Sequence, residues 1–232
     1  GTVVNKISQR GEPGVNRAVW NMTWANPPGM PAGGRGGRGG GGGLRAVPGT
    51  YTATVAAGER TAAKTFGLRG DPDVSHSRAD YEAQHQAASR ARDLAVEAGQ
   101  LVAAVEDLTN QVEASEEQVK KAKVPNLSQL LELTGTARSQ LAELDNKLRR
   151  PRPTMNYRVY PRLTEEIRNI LGGLSGAQAK PTQGLLMALG ELESEKGERA
   201  KELEQILNTT IKSLNDMLDQ FPKIMPPAGG GK

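Results

Sequence analysis

The sequence predicts a segregated α+β protein, with a small antiparallel β-sandwich followed by an elongated antiparallel helical bundle. Two observations lead to this class. Hydrophobic residues recur at every second position in residues 1–74, and in residues 75–232 they recur with the period of about 3.5 that is typical of packed helices. The 232 residues are only 36% hydrophobic and 3% aromatic, which favours two modest cores over one large core.

The first strands are predicted from alternation. Residues 3–7 form a short strand, and residues 15–24 alternate so that Trp20 and Trp24 lie on the same face. Two indoles are costly to leave in water, so we predict that this face belongs to the core of the sandwich. The number of strands in residues 1–74 suggests that the sandwich is incomplete and lacks its first strand.

A hairpin is predicted next. The turn Pro48-Gly49 leads into residues 50–55, which are rich in β-branched and aromatic side chains. Gly58-Glu59 is a hairpin turn, and residues 60–68 return as the partner strand. Between these strands and the earlier ones lies a glycine-rich tract, which predicts a disordered loop over residues 29–45.

The helical region is predicted from heptads and capping residues. Ser75 or Ser77 is the expected N-cap of the first helix, Asn126 caps the second, and Pro181 begins the fourth. The charged stretch 193–201 of the fourth helix is expected to project beyond its neighbours or to interrupt their packing. The helices are predicted at about residues 76–123, 127–149, 162–175 and 182–221. The apolar seam of the first helix consists of Leu94, Ala98, Leu101, Val105, Leu108, Val112 and Val119.

Composition excludes several classes of protein. The chain has no cysteine, which excludes disulfide frameworks and thiolate metal sites. Its apolar runs are too short to span a membrane. Lys+Arg 30 against Asp+Glu 26 gives a net charge of +4, a surplus too small to mark a nucleic-acid binder by itself. Because Gly1 replaces an initiator methionine, we expect the chain to be a processed or excised piece of a longer protein.

No catalytic, cofactor or metal site is predicted. The two histidines, His76 and His85, are nine positions apart, so they do not share a helix face, and no cysteine can join them as a ligand. Acidic residues are plentiful, but they flank the heptad seams as ordinary helix-surface charge, and no pair converges on a pocket as a glycosidase requires. We therefore expect this segment not to be an enzyme.

Two basic segments are candidates for binding polyanions. Arg35 and Arg38 within the glycine tract resemble a short arginine-glycine element that contacts RNA, although no aromatic residues are interleaved. The second segment joins two helices, and its ordinary explanation is a linker kept soluble by charge. Its candidate interaction patch consists of Arg149, Arg150, Arg152, Tyr157, Arg158, Tyr160 and Arg162.

Three stretches together resemble a known family. Residues 14–22 (GVNRAVWNM) are similar to a G-x-N-R-x-x-W-D-L strand, and residues 47–54 (VPGTYTAT) to a V-x-P-G-T-Y-T-V strand. Residues 71–73 (DPD), followed by residues 79–84, are similar to a D-P-R … L-x-x-Q entry into helices. In this order they resemble the C-terminal part of bacterial sortilin-like (VPS10-type) BNR-repeat proteins, which are often labelled glycosyl hydrolases.

The resemblance implies a large upstream β-propeller, then a sandwich like the FlgD immunoglobulin-like domain, then helices, in an exported bacterial protein. Asn21 departs from the family, which usually has aspartate there, and the glycine tract is longer than the pattern requires. Sugar-cleaving carboxylates would be expected in the propeller, which this chain lacks. Hydrolase activity is therefore not transferred to this segment.

The leading hypothesis is a non-catalytic accessory module that supports or docks an upstream propeller, or binds another protein, outside the bacterial cytoplasm. Its heptad faces also permit a homo-oligomer. One alternative is a polyanion-binding protein that uses the glycine-arginine loop and the arginine-rich linker, although nucleic acid is not the expected partner. Another alternative is part of a glycoside hydrolase whose active site lies outside this chain.

Overall fold

In the computed structural model, which describes residues 1–28, 30, 43–122, 124–151, 160–176, 179–218 and 221–227, an antiparallel hairpin precedes four packed helices. The elements in chain order are β1 (Gly49–Ala57), β2 (Arg60–Leu68), α1 (Arg78–Lys121), α2 (Leu127–Leu148), α3 (Leu163–Gly176), α4 (Gln183–Ile206), a π-helical turn (Leu207–Ile211) and α5 (Lys212–Met217).

The chain forms two compact units. The first unit comprises Gly1–Asp93 and Ile170–Met187, and the second comprises Leu94–Asn169 and Ala188–Lys232. The class is α+β, mainly helical. The boundary between domains at residues 74 and 75 stays a prediction.

The predicted sandwich is wrong. In the described part of the chain, β1 and β2 are the only strands of a sheet, and outside them one isolated bridge joins Thr23 to Arg45. Residues 3–7 and 15–24 do not form strands. Alternation yields a strand only when a neighbouring chain continues the ladder of backbone hydrogen bonds. In the described residues that ladder is limited to Met22 and Trp24 against residues 44–46 and to one hydrogen bond from the Ala25 amide to the Val4 carbonyl.

The two tryptophans do not share a core face. The ring of Trp20 packs against the rings of Tyr51 and Phe66 of the hairpin, with centroids 5.3 and 6.2 Å away. The ring of Trp24 instead lies 5.2 Å from the imidazole of His85 in α1. Both indoles are half-buried. Trp20 packs against the hairpin and Trp24 packs against α1, so the alternate spacing of the two tryptophans does not indicate a shared face.

The hairpin is confirmed. All nine residues of β1 pair with β2 in an unbroken antiparallel register that runs from Gly49 opposite Leu68 to Ala57 opposite Arg60. Gly58 begins the two-residue turn with a φ of +59°, a left-handed conformation that glycine adopts without steric cost. The turn and the β-branched strands therefore act together to form this element.

The four helices are confirmed, with ends close to the predicted ones. Ser77 is the N-cap of α1: its hydroxyl accepts a hydrogen bond from the Asp80 amide at 3.2 Å, and the Asp80 carboxylate accepts one from the Ser77 amide at 3.0 Å. This reciprocal capping box satisfies two backbone donors that the first turn leaves free. Asn126 precedes α2 as predicted, but its side chain makes no capping hydrogen bond.

The core of the second unit follows the predicted seam of α1 but is shifted in the fourth helix. Every seam residue of α1 is buried. In the fourth helix Leu207 and Met217, which the period of 3.5 predicts in the core, are half-buried, and Ile206, Ile211 and Leu218 are buried. Since buried leucines dominate this core, replacing one with alanine is expected to cost about 2–5 kcal/mol. The buried side chains on α2, α3, α4 and the helical turns beyond it include Leu130, Leu141, Leu144, Leu148, Leu163, Ile167, Leu189, Leu203, Ile211 and Leu214.

The charged middle of α4 neither interrupts the helix nor lies free of its neighbours. Lys196 pairs with Glu97 of α1, with 2.5 Å between Nζ and Oε2, and Glu202 pairs with Lys147 of α2, also at 2.5 Å. The helix continues without a break through the π-helical turn into α5. The backbone of α4 is therefore continuous through the charged stretch. No residue between Leu192 and Leu203 is buried, so the apolar packing is interrupted there and ion pairs take its place.

Candidate functional site

The predicted arginine patch is only partly described. Arg152, Tyr157 and Arg158 lie outside the described residues, as do Arg35 and Arg38 of the glycine tract. Four members of the patch remain: Arg149 and Arg150 at the end of α2, and Tyr160 and Arg162 before α3. These four residues differ in how free they are to bind a partner.

Arg149 is already paired. Its Nε lies 2.7 Å from Oδ1 of Asp145, and its Nη1 lies 3.2 Å from Oε2 of Glu106. Burial by itself lowers the pKa of Arg149, but hydrogen bonds and charge from Asp145 and Glu106 outweigh it and raise the pKa above its ordinary value. This guanidinium ties α2 to α1 and has little positive charge left to offer a polyanion.

The other three members are exposed. Tyr160 has 82% of its surface in solvent. Arg150 donates from Nε to the carbonyl of Tyr160 at 3.3 Å, so the two described ends of this connection lie side by side. Arg162 immediately precedes α3, and its amide donates to the Glu165 carboxylate at 3.0 Å. Two exposed guanidiniums and one phenol form a small basic surface in the described chain.

The hairpin forms a second exposed surface. Its register places the odd-numbered residues of β1 and the even-numbered residues of β2 on the same face. At one end of this face Tyr51 and Phe66 pack under Trp20, whose indole N–H donates to the Thr23 carbonyl at 2.9 Å. Burial raises the pKa of the Tyr51 hydroxyl, which donates to the Val47 carbonyl at 2.6 Å. The aromatic cluster therefore fixes one end of the hairpin to the N-terminal segment.

Toward the turn the same face is uncovered. We name this part the open hairpin face, and its residues are Ala53, Val55, Ala57, Arg60, Ala62 and Lys64. All six are exposed, and Val55 at the centre has 66% of its surface in solvent. Three alanines and one valine are bordered here by two cations, Arg60 and Lys64.

The opposite face of the hairpin is polar. Thr52 and Thr65 lie across from each other, with their hydroxyl oxygens 3.2 Å apart. Apart from the glycine at position 67, this face carries only threonine and alanine: Thr50, Thr52, Thr54, Ala56, Thr61, Ala63 and Thr65. These residues are exposed, and a threonine hydroxyl forms hydrogen bonds with solvent, so this face does not require a protein cover.

A cleft of about 510 Å³ lies in the first unit, beside the beginning of α1. Gln84 and Tyr81 line it, together with residues 45–48 and the end of β2. The Tyr81 hydroxyl is buried without a hydrogen-bond partner in the described chain, and a Cβ added at Gly70 would come within 2.7 Å of it. Among the described lining residues no histidine or acid–base pair occurs, so we assign no reaction to this cleft.

The histidines have structural roles. His85 Nδ1 lies 3.1 Å from the carbonyl of Arg45, and the His76 ring packs edge-on against Tyr81 at 6.0 Å. No group of three or more potential metal ligands occurs among the described residues. Nor is any described helix long and apolar enough to cross a membrane.

Sequence reasoning found the hairpin but missed its surface. It treated these strands as part of a closed sandwich, in which Val55 would be covered. The signal that could have found the open face is composition, since alanine and threonine dominate both strands and offer little side-chain volume for a core. A comparison with protein-family models, with curated proteins and with solved structures finds no match to this chain.

Proposed function

We propose that this chain is a protein-interaction module without catalytic chemistry of its own, and that the open hairpin face is where its partner docks. The observation that carries the proposal is a hairpin of two nine-residue strands that is exposed toward its turn, with Val55 at the centre of the open hairpin face. A two-stranded hairpin of this kind is marginally stable by itself and gains stability when a further layer covers it.

The edges of the hairpin support the same function. Among the described residues each strand is paired on one side only, which leaves its outer row of backbone N–H and C=O groups available to another chain. A partner can therefore add a strand to either edge while it covers the open hairpin face. Arg60 and Lys64 border this face and favour a partner with acidic residues around an apolar centre.

The resemblance in residues 14–22 and 47–54 suggests which partner to test. We propose that the chain is the C-terminal part of an exported bacterial protein of the sortilin-like, BNR-repeat type, and that it supports an upstream β-propeller. Its place of action would then be the periplasm, the cell surface or the medium. A reading frame without propeller repeats upstream of Gly1 contradicts this choice of partner.

The test is a calorimetric titration of this chain with the separately expressed polypeptide encoded upstream of Gly1. We expect Val55→Asp to weaken binding at least tenfold, because it buries a charge in the interface. Thr54→Asp is the matched control: it places the same charge one residue away, on the threonine face, and is expected to change the affinity less than twofold.

A second titration, with heparin or RNA in place of that polypeptide, separates docking from polyanion binding. Docking through an apolar centre bordered by two cations weakens only moderately as salt is added, whereas binding to heparin or RNA weakens steeply. If heparin binds in the micromolar range with that steep dependence, and Arg150→Ala with Arg162→Ala removes the binding, the polyanion alternative replaces this proposal. Glycosidase turnover by the isolated chain would instead contradict its non-catalytic assignment.

A further inference from the structure

Residues 221–227, which follow α5, have one buried side chain. In residues 221–227 the side chain of Ile224 is only 3% exposed, while its neighbour Met225 is 63% exposed. These residues form no helix or strand. A single buried aliphatic side chain in an irregular segment is typical of a peptide bound in a groove.

Two side-chain amides hold the backbone on either side of this anchor. Asn215 of α5 donates to the Ile224 carbonyl at 2.8 Å and accepts from the Ile224 amide at 2.7 Å. Gln111 of α1 donates to the Met225 carbonyl at 3.1 Å and accepts from the Met225 amide at 2.8 Å. We name Gln111 and Asn215 the tail clamp.

This pairing imitates a β-ladder. In an extended chain the N–H and C=O groups of one residue point to the same side, and those of the next residue point to the opposite side. Asn215 satisfies both groups of Ile224, and Gln111 satisfies both groups of Met225. The tail clamp thus forms hydrogen bonds with the backbone of an extended segment along both of its edges, as neighbouring strands do.

Further contacts orient both the tail clamp and its ligand. The Asp107 carboxylate accepts a hydrogen bond from Gln111 Nε2 at 2.9 Å, which fixes the orientation of that amide. The Lys223 ammonium donates to the backbone carbonyl of Asn215. Pro226 follows Met225 and disfavours helical backbone there, so the ligand is already biased toward the extended form.

We propose that the tail clamp is a binding site for an extended peptide with a branched aliphatic anchor, and that it holds residues 221–227 of this chain as an intramolecular ligand. The site is built from residues that the hairpin does not use, so it is a second recognition surface. Its specificity has two sources. The buried pocket selects the aliphatic side chain of Ile224, and the two amides require an extended backbone on either side.

The first test measures amide hydrogen exchange of the full chain by NMR. We expect the amides of Ile224 and Met225 to exchange at least tenfold more slowly than in an unstructured peptide. Asn215→Ala and Gln111→Ala are each expected to remove most of that protection. Gln118→Ala, an exposed glutamine on the same helix as Gln111, is the matched control and should leave it unchanged. Unprotected amides in the unmodified chain would overturn the proposal.

The second test measures whether the tail clamp binds a separate peptide. Ile224→Asp places a charge in the pocket and releases the tail, so a fluorescent peptide with the sequence of residues 221–227 should bind this full-length variant. The unmodified chain should bind the peptide at least tenfold more weakly, because its own tail competes. Adding Asn215→Ala to Ile224→Asp should weaken binding by a similar factor. Equal binding by all three proteins would contradict the proposal.

Sedimentation checks that the ligand is intramolecular. The unmodified chain should keep the same mass across a hundredfold range of concentration. A dimer that Ile224→Asp dissociates would show that the tail binds a second copy, and would overturn the intramolecular assignment. If the circular dichroism of Ile224→Asp shows that this variant is unfolded, the amide exchange of Ile224 and Met225 in the unmodified chain is the test of the proposal.

Discussion

At the scale of single residues, Glu116 is a carboxylate whose ionisation depends on its neighbours. Its side chain is only 11% exposed and lies 2.7 Å from Lys120 and 2.9 Å from Arg138 of α2. The hydrogen bond to Lys120, followed by the charges of Arg138 and Lys120, lowers the pKa of Glu116, although burial acts in the opposite direction. The ionised form is therefore the one that stabilises the fold.

This lowered pKa predicts a pH dependence. Ionised Glu116 contributes fully to the free energy of unfolding above the unfolded-state pKa of about 4.3. This contribution is lost as the pH falls through the lower pKa of Glu116 in the folded state. We expect Glu116→Gln to reduce the free energy of unfolding by about 1 kcal/mol at pH 7, because the ion pairs are only partly screened. Urea titrations should show that this difference shrinks in acid.

Glu117→Gln is the control for this prediction. Glu117 is the neighbouring glutamate, its side chain is 63% exposed, and it pairs loosely with Lys121 at 3.7 Å. An exposed pair of this kind contributes little, so its loss should leave the free energy of unfolding almost unchanged. If Glu116→Gln lowers the free energy of unfolding by the same amount at low pH as at pH 7, the ion pairs of Glu116 are not the source of the difference.

Ser115 gives the opposite expectation. Its hydroxyl is buried and has no hydrogen-bond partner in the described chain. An unsatisfied buried hydroxyl is unfavourable, so Ser115→Ala should raise the free energy of unfolding by about 1–2 kcal/mol. Ser139→Ala, at an exposed position of α2, should gain only the helix-propensity difference of about 0.5 kcal/mol. Equal gains in thermal unfolding would mean that Ser115 is satisfied in solution.

At the scale of elements, the turn of the hairpin can be tested separately from its strands. Gly58→Ala forces a side chain into the left-handed region at φ +59°, which costs about 1 kcal/mol. We expect the β1 and β2 amides to exchange about fivefold faster, with no change in the helices. Gly67→Ala is the control, because a Cβ there contacts nothing within 4 Å. Similar effects of both substitutions would argue against strain at the turn.

The helices and the hairpin could be predicted because their determinants are local. Heptad spacing, the Ser77 cap and the Gly58 turn act within a few residues, and all three are visible in the sequence. The sandwich could not be excluded by the same reasoning, because alternation in residues 15–24 does not reveal whether a partner strand exists. Contacts such as Trp24 with His85 depend on the tertiary fold and have no local signature.

The candidate sites show the same limit. The arginine segment was found by charge alone, but pairing of Arg149 with Asp145 and Glu106 depends on how α1 and α2 pack. The tail clamp was missed altogether, since Gln111 and Asn215 are ordinary polar helix residues in sequence. Only the fold brings their amides to the backbone of Ile224 and Met225.

At the scale of the whole molecule, the account rests on the open hairpin face as a docking surface. The most direct measurement is hydrogen–deuterium exchange of this chain alone and within the polypeptide of its complete reading frame. We predict that residues 49–68 exchange at least tenfold more slowly in the longer polypeptide, while the amides of α2 are unchanged. Identical exchange of the hairpin in both, or protection only at residues 149–151 and 160–162, would contradict the account.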